Sequence, residues 1–208
     1  MSNPVNDEPT VDHEVDFQDQ ARGSADFSKA ELWAGRLLSE YWDGKFPVDP
    51  NSIAVKMGME VYFVPIPGKL AGLILKDDRE RVPSIFVDKD ATTSRKRFTI
   101  AHEIGHYIER FRDSDSPNQK IPGYFGFSDE SMVSDEKILA GRRPTDSGAP
   151  DQSPRELFAD YFAHSLLMPE KEVQRFVGLG MSVDSVATYF GVSAVTMRNR
   201  LNGLGKDL

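Results

Sequence analysis

A chain of 208 residues has room for one well-buried domain and at most a small appendage. With 39% hydrophobic residues and no apolar run near the roughly 20 that a bilayer requires, a globular chain without a membrane span is expected. The absence of cysteine excludes disulfides, thiolate ligands and cysteine nucleophiles, so any metal must be held by nitrogen and oxygen. The formal net charge of -8 argues against nucleic-acid binding through overall positive potential, although much of it sits in an acidic leader.

The leader, residues 1–26, carries Asp7, Glu8, Asp12, Glu14, Asp16 and Asp19 where a secretory signal would need basic and then apolar residues. A cytoplasmic location is expected, with the leader a disordered acidic tail, because it lacks the apolar content to offset ordering entropy. Ser28 and Glu31 then have the spacing of a capping box, and Ala30, Trp33, Ala34, Leu37, Leu38 and Tyr41 recur at helical spacing. Asp49-Pro50 reads as the cap and first position of a short helix through Met57, stopped by Gly58. Three segments rich in β-branched and aromatic residues follow, 60–64, 72–75 and 84–87, and predict a small, largely antiparallel sheet.

From Thr93 to Phe111 the apolar positions return to helical spacing. Between Asp113 and Ser153 the chain is dense in Pro, Gly, Ser and Asp, with an aromatic patch at Tyr124, Phe125 and Phe127 and one helical turn near Ile138. A connection of that length reads as a lid over a cleft or a mobile insertion. An apolar helix from Arg155 to Met168 is ended by Pro169, another runs from Glu170 to Val177, and 183–201 reads as helix, turn, helix. The expected organisation is a core over 27–180 with an insertion at 113–153, and a hairpin over 181–208 packed on it as part of a C-terminal helical bundle.

The Thr93–Phe111 helix contains His102-Glu103-Ile104-Gly105-His106. Residues four apart project from one helix face, so His102 and His106 can direct imidazole nitrogens at one ion, while Glu103 can reach a bound water as general base. A surface helix with ordinary polar residues is the bland alternative. Gly105 argues against it, since glycine inside a helix costs about 0.5–1 kcal/mol unless something must approach closely. Glu156 and Asp160 stand four apart in an apolar helix and pair a potential ligand with a carboxylate able to orient a ligating histidine. They could instead salt-bridge Arg155 or cap the helix. A glycine and third histidine shortly after His106 would mark a metzincin, but Glu109 and Arg112 stand there. His164, Tyr161 and Tyr107 remain candidates for a ligand or transition-state donor, with packing the favoured role for each.

The stretch from Arg97 to His106, read with Glu156 to Ala163 and Leu166-Leu167-Met168-Pro169, resembles the ImmA/IrrE family of metallo-endopeptidases. Pro47-Val48-Asp49-Pro50, Ile53-Ala54, Gly58, Phe190-Gly191-Val192-Ser193 and Arg200-Leu201 are similar to the same family, so the likeness runs from about Phe27 to Leu204. The resemblance implies an α+β, zincin-like fold of the gluzincin kind, zinc held by His102, His106 and Glu156, and Glu103 as catalytic acid/base. It implies manganese as an alternative metal and a helix-turn-helix repressor as substrate, whose cleavage derepresses mobile-element or stress-response genes. The acidic leader and the stretch between Phe111 and Ser153 depart from the family pattern.

Two other functions stay open. The C-terminal hairpin, with Arg198 and Arg200 on its second helix, could bind DNA, although few basic residues favour a hairpin packed on the catalytic core. An inactive metal fold acting as a scaffold is the third reading, disfavoured by the intact ligand set.

Overall fold

Asp49 and Pro50 show how directly local chemistry starts an element: the Asp49 carboxylate accepts the backbone N–H of Asn51 at 3.0 Å, and Pro50 occupies the first helical position. In the computed structural model, which describes residues 24–67, 70–75, 83–109, 138–141 and 154–206, this helix is the second of eleven elements. In chain order they are α1 (Ser24–Tyr41), α2 (Pro50–Lys56), β1 (Glu60–Val64), β2 (Gly72–Leu75), β3 (Ser84–Asp88) and α3 (Thr93–Glu109). β4 (Ile138–Gly141), α4 (Pro154–Leu167), α5 (Glu170–Gly178), α6 (Val183–Phe190) and α7 (Ala194–Gly203) follow. Gly58, in the left-handed region at φ 83°, turns the chain from α2 into β1.

Two expectations are corrected. The first helix begins at Ser24, a turn before the Ser28–Glu31 pair, because nothing from Ala25 to Phe27 breaks a helix. The segment near Ile138, expected as a helical turn, is β4, an extended edge strand. Pairing with β2 satisfies backbone groups that a strand edge would leave open, and that non-local contact overrides local preference. The first 23 residues of the predicted tail, and the aromatic patch at Tyr124, Phe125 and Phe127, lie outside the described residues.

The sheet order is β1-β3-β2-β4. β2 pairs antiparallel with β3 (Leu73 opposite Phe86) and with β4 (Ile74 opposite Ala140), whereas β1 runs parallel to β3 (Tyr62 opposite Phe86). The sheet is therefore mixed: the chain lays β1 and β2 on opposite flanks of β3 and in opposite directions, so one of the two must be parallel to it. Ile74, Ile85 and Val87 are buried, as are Ile100, Ala101, Ile104 and Ile108 of α3. On the helical side Trp33, Ala34 and Leu37 of α1 join Phe158, Phe162 and Leu166 of α4 in the same core cluster, which α5–α7 complete with Val173, Val186, Phe190 and Met197. No described helix is long and apolar enough to cross a membrane.

The C-terminal hairpin is fastened to this body by two arginines. Arg97 of α3 donates to the carbonyls of Val48, Phe190 and Gly191, the last at 3.2 Å, clamping the α6–α7 turn onto the start of α3. Arg200 of α7 is only 4% exposed and donates to Met168 O at 3.1 Å and to the Glu31 carboxylate of α1 at 3.0 Å. Of the two basic residues that suggested DNA contact, Arg200 is thus enclosed in the protein, and Arg198 alone faces solvent.

Candidate metal centre

α3 and α4 lie antiparallel, since Phe98, His102, His106 and Glu109 meet His164, Asp160, Glu156 and Arg155 in that order. They come close together at Gly105. A Cβ built there would sit 2.9 Å from Ala159 Cα and 3.1 Å from Ala159 O, so only glycine lets the two backbones come this near. That approach brings the His102 and His106 face of α3 within reach of Glu156 on α4.

The resulting distances describe a small triangle. His102 Nε2 and His106 Nε2 are 3.0 Å apart, and the Glu156 carboxylate oxygens lie 3.2 Å from each of them. A tetrahedral ion with bonds of about 2 Å would separate its ligand atoms by about 3.3 Å, so these three donors already stand close to the edges of one coordination tetrahedron. His102 and His106 are 1% and 3% exposed, and a hard or borderline cation matches the N, N, O donor set. The residues therefore fit a divalent metal ion.

Asp160 supports the triangle from behind. Its Oδ1 accepts from His102 Nδ1 at 2.9 Å, which orients the ring so that Nε2 faces the other donors. Burial alone would lower the His102 pKa, but hydrogen bonds to Asp160 and Glu156 outweigh it and push the ring up to about 9. Burial holds His106 below the ordinary histidine value. Burial would raise Glu156, yet its hydrogen bonds to both histidines keep it well below the usual carboxylate range.

Two predictions follow from this electrostatics. Carboxylates hydrogen-bonded to both ring nitrogens favour the protonated form of metal-free His102, and an ion taking its Nε2 must displace that proton. Metal uptake is expected to release about one proton per ion, read as a buffer-dependent binding heat in calorimetry; equal heats in buffers of different ionisation enthalpy would contradict it. Replacing Asp160 by alanine leaves the ring unoriented and is expected to weaken metal binding about 10–100-fold. Chelator competition measures this, and unchanged affinity would remove Asp160 from the centre.

Glu103, next to His102, is fully buried. It lies beneath β2, where a Cβ on Gly72 would stand 3.7 Å from Glu103 Oε1, 2.8 Å from Phe86 O and an impossible 2.3 Å from Thr99 Cγ2. Gly72 thus lets the strand settle directly on the α3 face that carries Glu103. Its role was not read from the sequence; the available signal was a glycine opening a short apolar strand, a position that marks close approach of another element.

The remaining candidates stand elsewhere. His164 is eight residues along α4 from Glu156, about 12 Å of helix rise, and packs beside Phe98 at a ring separation of 5.2 Å. Tyr161 packs instead against Phe27, the two rings tilted at 35° with centroids 3.7 Å apart. Tyr107 is 4% exposed, and burial raises its hydroxyl pKa, with the Tyr41 charge adding to the rise. Arg155, offered as a possible partner for Glu156, donates to Glu109 at 3.1 Å and ties the ends of α3 and α4 together.

Two histidines one turn apart on a buried helix, a glutamate from an antiparallel neighbour and an orienting carboxylate make a donor set that could hold a metal ion. Comparison with protein families places the protein more closely: residues 54–122 and 133–202 match the Peptidase_M78 family, described as the IrrE N-terminal-like domain. The chain belongs to that metallopeptidase family, and the matched segments contain His102, Glu103, His106, Glu156 and Asp160. None of the curated proteins compared with the chain matches it.

Proposed function

We propose that the protein is a zinc-dependent endopeptidase of zincin-like, gluzincin type, with His102, His106 and Glu156 as ligands, Asp160 orienting His102 and Glu103 as general acid/base. The observation that carries this reading is the convergence of the three donors at 3.0–3.2 Å with Glu103 one residue from His102. A bound divalent ion supplies Lewis-acid polarisation of the scissile carbonyl and lowers the pKa of water toward neutrality.

The rest of the chemistry belongs to the chain. Glu103 takes a proton from the attacking water and later returns it to the leaving amine, so the carboxylate ends the cycle as it began. Its enclosure beneath β2 keeps it from bulk solvent and strengthens its interaction with the developing charge. β4, the edge strand beside β2, offers backbone groups with which an extended polypeptide can pair, a recurrent way of holding a peptide before cleavage.

The substrate we propose is a helix-turn-helix repressor, cut so that the genes it silences are expressed, and family membership supports this choice. Zinc is the metal we propose because three protein donors at near-tetrahedral spacing suit it, with manganese the alternative. The test is mass-spectrometric mapping of products after the purified protein, loaded with zinc or manganese, is mixed with the helix-turn-helix repressor encoded nearest to it. One defined cut is expected, absent in the Glu103→Gln protein. An intact repressor in the presence of metal-loaded enzyme would overturn the substrate assignment.

A further inference from the structure

The α6–α7 hairpin has the form of a DNA-binding pair, in which residues near the start of the second helix meet the base edges. Here that end of α7 borders a cleft shared with α3 and α4. Ser193, Thr196 and Asn199 form one wall of this cleft of about 320 Å³, whose opposite walls include Phe98 of α3 and Asp160 and His164 of α4. The volume is at the lower end for ligand pockets, about 300–1,000 Å³. Arg97 holds the hairpin turn against α3 through Gly191 O and Phe190 O, and Arg200 anchors α7 from the other side, so this wall is fixed in place.

The cleft adjoins the metal centre. Asp160, whose Oδ1 holds His102, is itself part of the lining and is partly exposed at 28%. On α3 the lining residue Phe98 precedes His102 by one turn; on α4, Glu156, Asp160 and His164 follow each other at one-turn intervals along a single face. A polypeptide lying over the donors therefore has a side-chain recess one turn away. The recess is mainly polar, with hydroxyls, an amide, an imidazole, the Asp160 carboxylate and the Arg95 guanidinium beside the apolar Phe98 and Val195.

We infer that the C-terminal hairpin is a substrate-recognition wall of the peptidase, and that its cleft receives a polar, hydrogen-bonding side chain of the substrate close to the scissile bond. This rests on the peptidase reading and adds to it a selectivity and a role for α7. The family match, which continues to residue 202, includes the hairpin within the same domain as the metal donors.

The test uses the zinc-loaded Glu103→Gln full-length protein, which is expected to bind without cutting, and a positional-scanning set of fluorescent decapeptides. Each position carries serine, asparagine, aspartate, leucine or phenylalanine in turn, and binding is followed by anisotropy. One position should favour polar residues, and in a Thr196→Val, Asn199→Leu background that preference should fall about tenfold or more toward leucine and phenylalanine. Thr196→Val removes the 2.8 Å hydrogen bond between Thr196 Oγ1 and Ser193 Oγ but leaves Ser193 Oγ accepting from the Thr196 backbone N–H; an unchanged unfolding temperature verifies the fold. An identical preference profile in the two backgrounds overturns the inference while leaving the peptidase intact. Peptides that are neither retained by this variant nor cut by zinc-loaded wild type overturn both readings. Salt-sensitive retention of duplex DNA, lost in Arg198→Ala, overturns it as well, because α7 would then read DNA.

Discussion

Replacing Glu103 by glutamine is expected to leave the metal in place and reduce turnover about 10²–10⁴-fold. Glutamine keeps the length and shape of the side chain but has no carboxylate to accept the water's proton. The donor triangle is built from His102, His106 and Glu156 and does not include Glu103, so metal content should stay at the wild-type level. Glutamine fills the same buried space as Glu103, so the fold should be retained. Initial rates, metal analysis and a melting curve together decide the matter. Undiminished turnover would show that another group moves the proton, and loss of metal would show that Glu103 belongs to the ligand set.

Gly105→Val is expected to damage the molecule at a different level. The first added carbon would fall 2.9 Å from the Ala159 backbone, and the two branches of valine need further space between α3 and α4. Overpacking of this kind costs about 1–3 kcal/mol, and backbone on both sides leaves little room to relax, which places the change at the upper end. For a chain of this size about 3 kcal/mol corresponds to a fall of about 6–12 °C in melting temperature. Moving α4 outward also parts Glu156 from the histidines, so metal affinity should fall with stability. The control is Gly35→Ala on the exposed face of α1, where nothing lies within 4 Å of the added carbon; there alanine should stabilise the helix by about 0.5–1 kcal/mol. If valine at position 105 were tolerated with full metal affinity, the close helix contact would not be what sets the ligand spacing.

The parts of this architecture that were legible in the sequence are those governed by short-range rules. The His102–His106 pair follows from helical periodicity, α2 from its Asp-Pro start, and the three early strands from runs of β-branched and aromatic residues. Gly105 was also readable, since a helical glycine asks for a reason and Ala159 provides one. What escaped depends on partners distant in the chain. Residues 138–141 become a strand because β2 presents an edge more than sixty residues earlier in sequence, and no local pattern encodes that. The parallel pairing of β1 with β3 is likewise a matter of topology. Arg200 looked like a surface cation because charged residues usually are, whereas Glu31 and the Met168 carbonyl, contributed from far along the chain, enclose it. Asp160 and Glu156 lay between these cases: their spacing was visible, but which histidine each meets depends on the antiparallel setting of two helices.

That antiparallel setting has a consequence for how the protein matures. During synthesis the two histidines emerge about fifty residues before Glu156, so a nascent chain that ends within the intervening stretch holds only two of the three donors. The third arrives with α4, and with it the helix contact at Ala159 that closes the core around Phe158 and Phe162. Completing the ligand set is therefore tied to the packing of α4 against α3, the step that α5–α7 then follow to finish the core. An ion that binds only the finished protein adds about 2.7 kcal/mol of stability when its free concentration is 100 times its dissociation constant. Metal shortage in a cell would then reduce the amount of the protein as well as its activity, because chains left without the ion spend more time open to degradation.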